Sequence, residues 1–325
     1  MESNLVNSTE EHLGTNAIAG SDSADKKESS TACDTSGDLE SYLDSNTTGV
    51  SGLTISQEEI DEILKKQDSR KVSAFEAGKL DRDAKKNWDI FYKRNETRFF
   101  KDRHWTLREF EEILSRSSDN KEETENDKCD SPIVLLEIGC GVGNFAFPIL
   151  EVLGNLKVWA CDFSPRAIDL VKSNPAYDEE RIRAFVCDIT EGSCFSSNEF
   201  LVERKPDFIS LIFVLSAISP EKFEGVVKNL IDASKSGTVI CFRDYGRYDM
   251  AQLRFKGGKK IKDNFYARRD GTRAYYFTPE EVSDLFTASG HFKLINCDYV
   301  HRRTVNLKEQ VDVGRIFVQG KFIRV

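Results

Sequence analysis

Leu135-Leu136-Glu137-Ile138-Gly139-Cys140-Gly141-Val142-Gly143-Asn144-Phe145 reads as a short apolar strand that ends in an acid, turns on three alternate glycines and enters a helix. Glycine at such a turn lets the backbone approach a ligand that any Cβ would push away. The spacing narrows the ligand. A dinucleotide fingerprint, G-x-G-x-x-G, would put its third glycine at 144, where this chain has Asn144. The third glycine falls one residue early, which disfavours a dehydrogenase. Taken alone, the stretch is also compatible with a plain strand-to-helix turn.

The next two apolar runs decide between these readings. Leu156-Lys157-Val158-Trp159-Ala160-Cys161 ends at Asp162, and Ala184-Phe185-Val186-Cys187 ends at Asp188. A carboxylate at the tip of the second strand can accept both hydroxyls of a ribose, as in nucleotide-binding βαβ units. One acid at a strand end is ordinarily a helix cap or a solvated loop residue. Two at successive strand ends after a glycine loop point to a shared ligand. Together these residues resemble the E/D-x-G-x-G-x-G loop and strand-end acids of class I S-adenosylmethionine (SAM) methyltransferases. That resemblance puts Asp162 on the ribose and Asp188 against the adenine amino group.

The 325 residues allow one large or two modest domains, and 39% hydrophobic residues suffice for one substantial core. No apolar run approaches the roughly 18 residues of a membrane span, and the acidic amino terminus lacks the marks of a signal or transit peptide. The eight cysteines form no C-x-x-C pair, and Cys140, Cys161, Cys187 and Cys241 lie in or beside expected strands. Buried reduced thiols in a reducing compartment are the expectation, without a metal. The net charge of −9 is unevenly spread: residues 1–68 hold 15 acids and 4 bases, leaving 40 acids and 42 bases beyond. Residues 69–103 carry 11 bases against 6 acids, and 242–275 carry 10 against 4. A near-neutral body with two basic segments suits a polyanion, although either segment alone would pass for a solvated face.

Residues 1–54 are poor in apolar side chains and are expected to be a disordered acidic tail. Residues 55–115 form an N-terminal helical segment. It opens on the capping box Ser56-Gln57-Glu58-Glu59, with a second, basic helix over about 70–96. Residues 116–131 are an acidic linker. From 132 to 325 strands and helices alternate: strand 133–138, helix 144–153, strand 156–161, helix 165–173, strand 183–188, strand 208–215, helix 220–234, strand 238–244, helix 279–289, and strand-like runs 292–299 and 315–322. Ser164-Pro165, Ser219-Pro220 and Thr278-Pro279 each give an N-cap with proline at the first helical position. The pattern predicts an α/β fold, a mostly parallel seven-stranded sheet with helices on both faces and an antiparallel last strand. Gly139, Asp162 and Asp188 would all lie at the carboxyl ends of the strands, where such sheets bind ligands.

The acceptor is read elsewhere. Leu215-Ser216-Ala217-Ile218 stands where amino-group DNA methyltransferases carry an Asn/Asp-Pro-Pro-aromatic tetrad, so that chemistry and a DNA substrate are disfavoured. The stretch 246–278, with the end of the strand before it, interleaves bases with Tyr245, Tyr248, Phe255, Phe265, Tyr266, Tyr275, Tyr276 and Phe277. This suits a single-stranded nucleic-acid surface; Tyr276 and Phe277, beside a helix cap, read rather as core. The strings KNWDIFYKRN at 86–95, FFKDRHWT at 99–106, LEIGCGVGN at 136–144, ACDFSPRAI at 160–168, LIFVLSAI at 211–218, FRDYG at 242–246 and NFYARRDGTRAYYFT at 264–278 resemble the tRNA N3-methylcytidine methyltransferases. The likeness covers about 55–325, and the cytosolic branch acting on serine tRNAs looks nearest. The acidic linker departs from the family and is given no catalytic role.

This resemblance implies methyl transfer from SAM to N3 of an anticodon-loop cytidine, position 32 in tRNA numbering. It places SAM contacts on Trp88, Tyr92, Gly139, Gly141, Asp162, Asp188, Ile189 and Ile212. Trp88 and Tyr92, four residues apart on one helix face, become a lid; by composition alone they would be packing residues. Asp244 is the candidate carboxylate for the charge that methylation leaves on the ring, with a salt bridge to Arg243 or Arg247 as the alternative. Arg94, Arg103, His104, Arg247, Arg254, Lys256, Lys259, Lys260, Arg268, Arg269 and Arg273 are expected tRNA contacts. The family also suggests seryl-tRNA synthetase as a partner, no membrane, and a cytoplasmic location that extends to the nucleus. Two rivals stay open: a class I methyltransferase acting on a protein or small molecule, and a non-catalytic RNA- or protein-binding module on the same fold.

Overall fold

The computed structural model describes residues 55–106, 131–196, 198–306 and 311–325. The expected disordered tail (1–54) and all but the last residue of the acidic linker lie outside them. Three helices come first: α1 (Gln57–Asp68), α2 (Ala74–Arg82) and α3 (Ala84–Asn95). The capping box at α1 forms as expected, with the Glu59 amide donating to Ser56 Oγ and the Ser56 amide to Glu59 Oε2. The single helix expected over 70–96 is two. Asp83, at φ −89° and ψ 6°, ends α2 and begins α3.

The sheet is built from β1 (Ile133–Ile138), α4 (Ala146–Val152), β2 (Leu156–Asp162), α5 (Pro165–Lys172), β3 (Ile182–Val186), α6 (Glu199–Glu203), β4 (Phe208–Ile212), α7 (Phe223–Ala233) and β5 (Val239–Tyr245). After an inserted segment come α9 (Pro279–Thr287), β9 (Phe292–Asn306) and β10 (Val311–Arg324). Strand order is β3-β2-β1-β4-β5-β10-β9. The first five strands are mutually parallel, and β10 runs antiparallel to both β5 and β9. Val134, Leu136 and Ile138 of β1 pack on one face with residues of α7 and α9. Ile133 and Leu135 pack on the other with α4 and α5. Apolar strands buried on both faces are what the continuous runs in the sequence predicted. The last two strands are longer than expected, and β4 stops three residues early. Phe213 turns the chain there with φ 60°.

The insertion is the main departure. It folds as α8 (Met250–Leu253) and a second sheet of β6 (Lys260–Lys262), β7 (Phe265–Ala267) and β8 (Arg273–Tyr275). Its aromatics are not an open stacking surface: Tyr245, Phe265, Tyr266, Tyr276 and Phe277 are buried. Phe255 stacks on Tyr266 with centroids 4.7 Å apart. Alternating aromatics in short strands can close a core of their own against the main sheet, and Phe317 of β10 completes it.

The N-terminal helices dock on this insertion. Gln67 donates to the carbonyls of Gln252 (2.9 Å) and Phe255 (3.0 Å) and accepts from the Tyr266 hydroxyl (2.9 Å). Lys260, only 7% exposed at its side chain, pairs with Asp68 at 2.8 Å and Asp263 at 3.0 Å. Arg273 donates to Asp81, Ser219 and the Ala217 carbonyl. Burial alone would raise the Asp81 carboxyl, but Ser219 and Arg273 hold it down at about 2. Among the described residues no helix is long and apolar enough to cross a membrane.

Candidate functional site

The turn after β1 requires glycine three times. Gly139, Gly141 and Gly143 have φ of 63°, 55° and 89°, a region that strains any side chain. Space closes the same positions. An added Cβ would lie 2.7 Å from Val214 at Gly139 and 2.4 Å from Phe147 at Gly143. At Gly141 it would meet the Tyr92 hydroxyl at 3.1 Å, so the Tyr92 ring of α3 stands over the loop.

Two buried acids lie at this turn, and a third follows β3. Asp162, ending β2, is 5% exposed; its Oδ2 accepts from the Gly141 amide (3.0 Å) and its Oδ1 from the Ser164 amide (2.9 Å). Burial pushes its carboxyl up to about 6, even though these backbone donors pull it down. Glu137, near the end of β1, is pushed up to about 8 by burial, with Arg103 opposing the rise. Its Oε2 has no hydrogen-bond partner among the described residues. Asp188 lies two residues past β3, accepting from the Thr190 amide (2.9 Å) and hydroxyl (2.8 Å). The buried Ile189 that follows is fixed through its carbonyl by Asn229 at 2.8 Å.

Arg103 is not the phosphate contact the sequence suggested. It turns inward: a terminal nitrogen donates to the Ile212 carbonyl at 3.2 Å, and the guanidinium lies 5.2 Å from the Phe213 ring centroid. The backbone explains why, since the Arg103 amide is tied to the Asn144 carbonyl beside the glycine loop. Phe213 and Glu137, which lie beside Arg103, were not among the site residues expected from the sequence. Glu137 stood in the quoted motif, whereas only a backbone strained at φ 60° marks Phe213.

The two residues expected to form a lid both lie on α3. Trp88 and Tyr92 sit together with ring centroids 5.8 Å apart. Asn87 fastens the helix to the Gly271 carbonyl at 2.9 Å, and Asp89 accepts from the Ser164 hydroxyl. Burial raises the Tyr92 hydroxyl well above its ordinary range, so it stays a donor.

A SAM molecule fits this arrangement. Tyr92 stands over the turn with Trp88 beside it, an aromatic pair suited to a sulfonium, and buried Glu137 Oε2 and Arg103 Nε have no partner among the described residues. These suit the ammonium and carboxylate of one amino-acid moiety. No cluster of three or more metal-ligating side chains occurs among the described residues, and the six described cysteines are free thiols.

These raised carboxyls have a pH signature. Glu137 and Asp162 are better accommodated protonated in the folded chain than in the unfolded one, so their contribution is complete below about pH 4. It is lost as pH rises through about 6 and then about 8. The thermal midpoint of the ligand-free protein should therefore fall between about pH 5 and 8.5, and Glu137→Gln should flatten the upper half of that fall. A profile unchanged by Glu137→Gln would mean that Glu137 is already ionised at neutral pH.

Asp244 is completely buried near the end of β5. Its oxygens accept from the Ser216 and Tyr245 amides, both at 2.9 Å. Burial pushes its carboxyl up to about 6. The residue thereby fixes the loop after β4 beside the glycine turn.

The expected tRNA contacts divide. Lys260 and Arg273 are engaged in the buried and half-buried ion pairs described above and leave the set, because joining α1 and α2 to the insertion consumes their charge. Arg94, His104, Arg254, Lys256 and Arg269 are exposed, and Arg247, Lys259 and Arg268 are half-buried.

Comparison with known proteins agrees with the geometry. A family described as a methyltransferase domain matches residues 136–240. The chain is 46% identical over 276 residues to tRNA N(3)-cytidine methyltransferase METTL6 of Homo sapiens, covering 85% of this chain and 92% of that protein. It is 43% identical to tRNA N(3)-methylcytidine methyltransferase trm141 of Schizosaccharomyces pombe, covering 77% and 96%. It is 42% identical to tRNA N(3)-cytidine methyltransferase METTL2 of Danio rerio, covering 83% and 82%.

Proposed function

The chain belongs to the tRNA N(3)-cytidine methyltransferases, and on that footing we propose that it methylates N3 of the cytidine at position 32 in the anticodon loop of serine tRNAs. The observation that carries this reading is overlap along most of both chains with those enzymes, joined to a glycine turn with two buried acids, Glu137 and Asp162, beside it. SAM, when bound, supplies an electrophilic methyl group on a sulfonium.

The chain's own residues do the rest. Asp162 takes the ribose hydroxyls, Asp188 and Ile189 the adenine, and Glu137 and Arg103 the two charged ends of the amino-acid moiety. Trp88 and Tyr92 close over the site and exclude water. The cytosine N3 lone pair needs no strong base, but it must be freed from pairing and stacking, which a loop cytidine allows cheaply. Rate enhancement then rests on alignment. Asp244 meets the positive charge left on the ring. Arg94, His104, Arg247, Arg254, Lys256, Lys259, Arg268 and Arg269 hold the tRNA backbone. Delivery by seryl-tRNA synthetase and residence in cytoplasm and nucleus belong to the same proposal.

Incubation with SAM and unfractionated tRNA, followed by mass spectrometry of nucleosides, should yield N3-methylcytidine confined to the anticodon loop of serine tRNAs. Methylation of other tRNAs would overturn the serine assignment, and no N3-methylcytidine at all would overturn the function. Asp244→Asn should lower kcat by at least about tenfold with SAM affinity nearly intact. Turnover near that of the unaltered enzyme would remove Asp244 from the reaction.

A further inference from the structure

The hairpin of β9 and β10 continues past the end of β5. Tyr245, the last residue of β5, pairs with Phe317, and the residues of β10 before it, Val311 to Ile316, pair with β9. This arm therefore extends beyond the sheet edge that carries Gly139, Asp162 and Asp244. The turn leaving β5 is fastened to it. The Gly246 amide donates to the Ile316 carbonyl at 2.8 Å, and Asp249 accepts from the Ile316 amide at 2.7 Å and from Arg315 Nε at 2.9 Å.

Inside that clamp Tyr248 is held at φ 67°. A bulky residue adopts this conformation only where its surroundings over-determine it, and such sites cluster where function needs a pre-set side chain. The Arg247 guanidinium lies 5.0 Å from the Tyr248 ring centroid. Tyr299 and His301 alternate along β9 and so share a face, their rings 6.2 Å apart. Tyr299 is 38% exposed, and His301 and Arg303 are exposed. The Tyr299 hydroxyl is within electrostatic reach of Arg247 and Tyr248, and also of Glu280 and Glu281. Those carboxylates disfavour a phosphate on this flank and leave the ring faces as the contact.

We propose that Tyr248, Tyr299 and His301 form a stacking platform for one unpaired base beside the cytidine that is methylated. This rests on the reading of the site given above and adds the residues that grip the loop next to it. Rings that stack any base, flanked by cations, are the usual solution for holding single-stranded RNA. Here they begin four residues after Asp244, while the later aromatics of the insertion, Phe265, Tyr266, Tyr276 and Phe277, are buried.

The test uses a fluorescently labelled anticodon stem-loop. Tyr299→Ala with His301→Ala should weaken its binding and raise its KM about tenfold, toward the lower end of what one base stack contributes, with kcat and SAM affinity unchanged. Tyr299→Phe keeps the ring and should bind as the unaltered protein does. Removing the bases of the loop one at a time should reveal one position whose loss weakens the unaltered protein by the same factor and costs the double variant nothing more. Unchanged binding by the double variant, equal loss in Tyr299→Phe, or additive losses at every abasic position would each overturn the platform. An unaltered protein that leaves the stem-loop unmethylated would overturn the reading of the site instead, and the binding comparison would still decide the platform.

Discussion

Asp162→Ala is expected to weaken SAM binding by at least about a hundredfold. A buried carboxylate that accepts two ribose hydroxyls loses two hydrogen bonds to a charged group, each of roughly 1.5–3 kcal/mol. The variant also takes their acceptor from the Gly141 and Ser164 amides, so the glycine turn loses part of its support. The fold should survive, because the same substitution releases a carboxylate whose burial is itself unfavourable at neutral pH. Calorimetric titration with SAM measures the first effect and thermal unfolding the second. Affinity within tenfold of the unaltered protein would mean that the carboxylate does not touch the ligand.

Asp249→Ala should lower stability by about 3–5 kcal/mol, the usual cost of removing one partner from a buried ion pair. Asp249 and Arg315 are 0% and 2% exposed at their side chains, 2.9 Å apart. The same carboxylate also takes the Ala251 and Ile316 amides. In a chain of this size that corresponds to a fall of about 10 °C in Tm. Asp249→Ala with Arg315→Met should recover part of the loss, since the pair is then replaced by apolar packing rather than broken. A single variant that melts within about 2 °C of the unaltered protein would show that the pair contributes little.

The parts of the molecule that local rules govern were legible in the sequence. Glycines at 139, 141 and 143 announce positive φ, Asp162 and Asp188 announce strand ends, and serine or threonine before proline at 165 and 279 announces helix starts. All of these are decided within a few residues. The insertion was not legible, because whether Phe265 or Tyr266 faces solvent depends on Gln67, nearly two hundred positions away. Charge misled for the same reason. Lys260, Arg273 and Arg103 look alike in a basic string, and only the fold assigns the first two to Asp68 and Asp81 and turns the third toward the cofactor turn.

The pairing of Gln67 with Gln252 and Tyr266 has a consequence for synthesis. The helix α1 leaves the ribosome well before its seat, which is translated about 185 residues later. Until then α1 has no seat, and contacts this distant in sequence form slowly. The nascent chain must therefore keep α1 in waiting until the segment after β5 has been made.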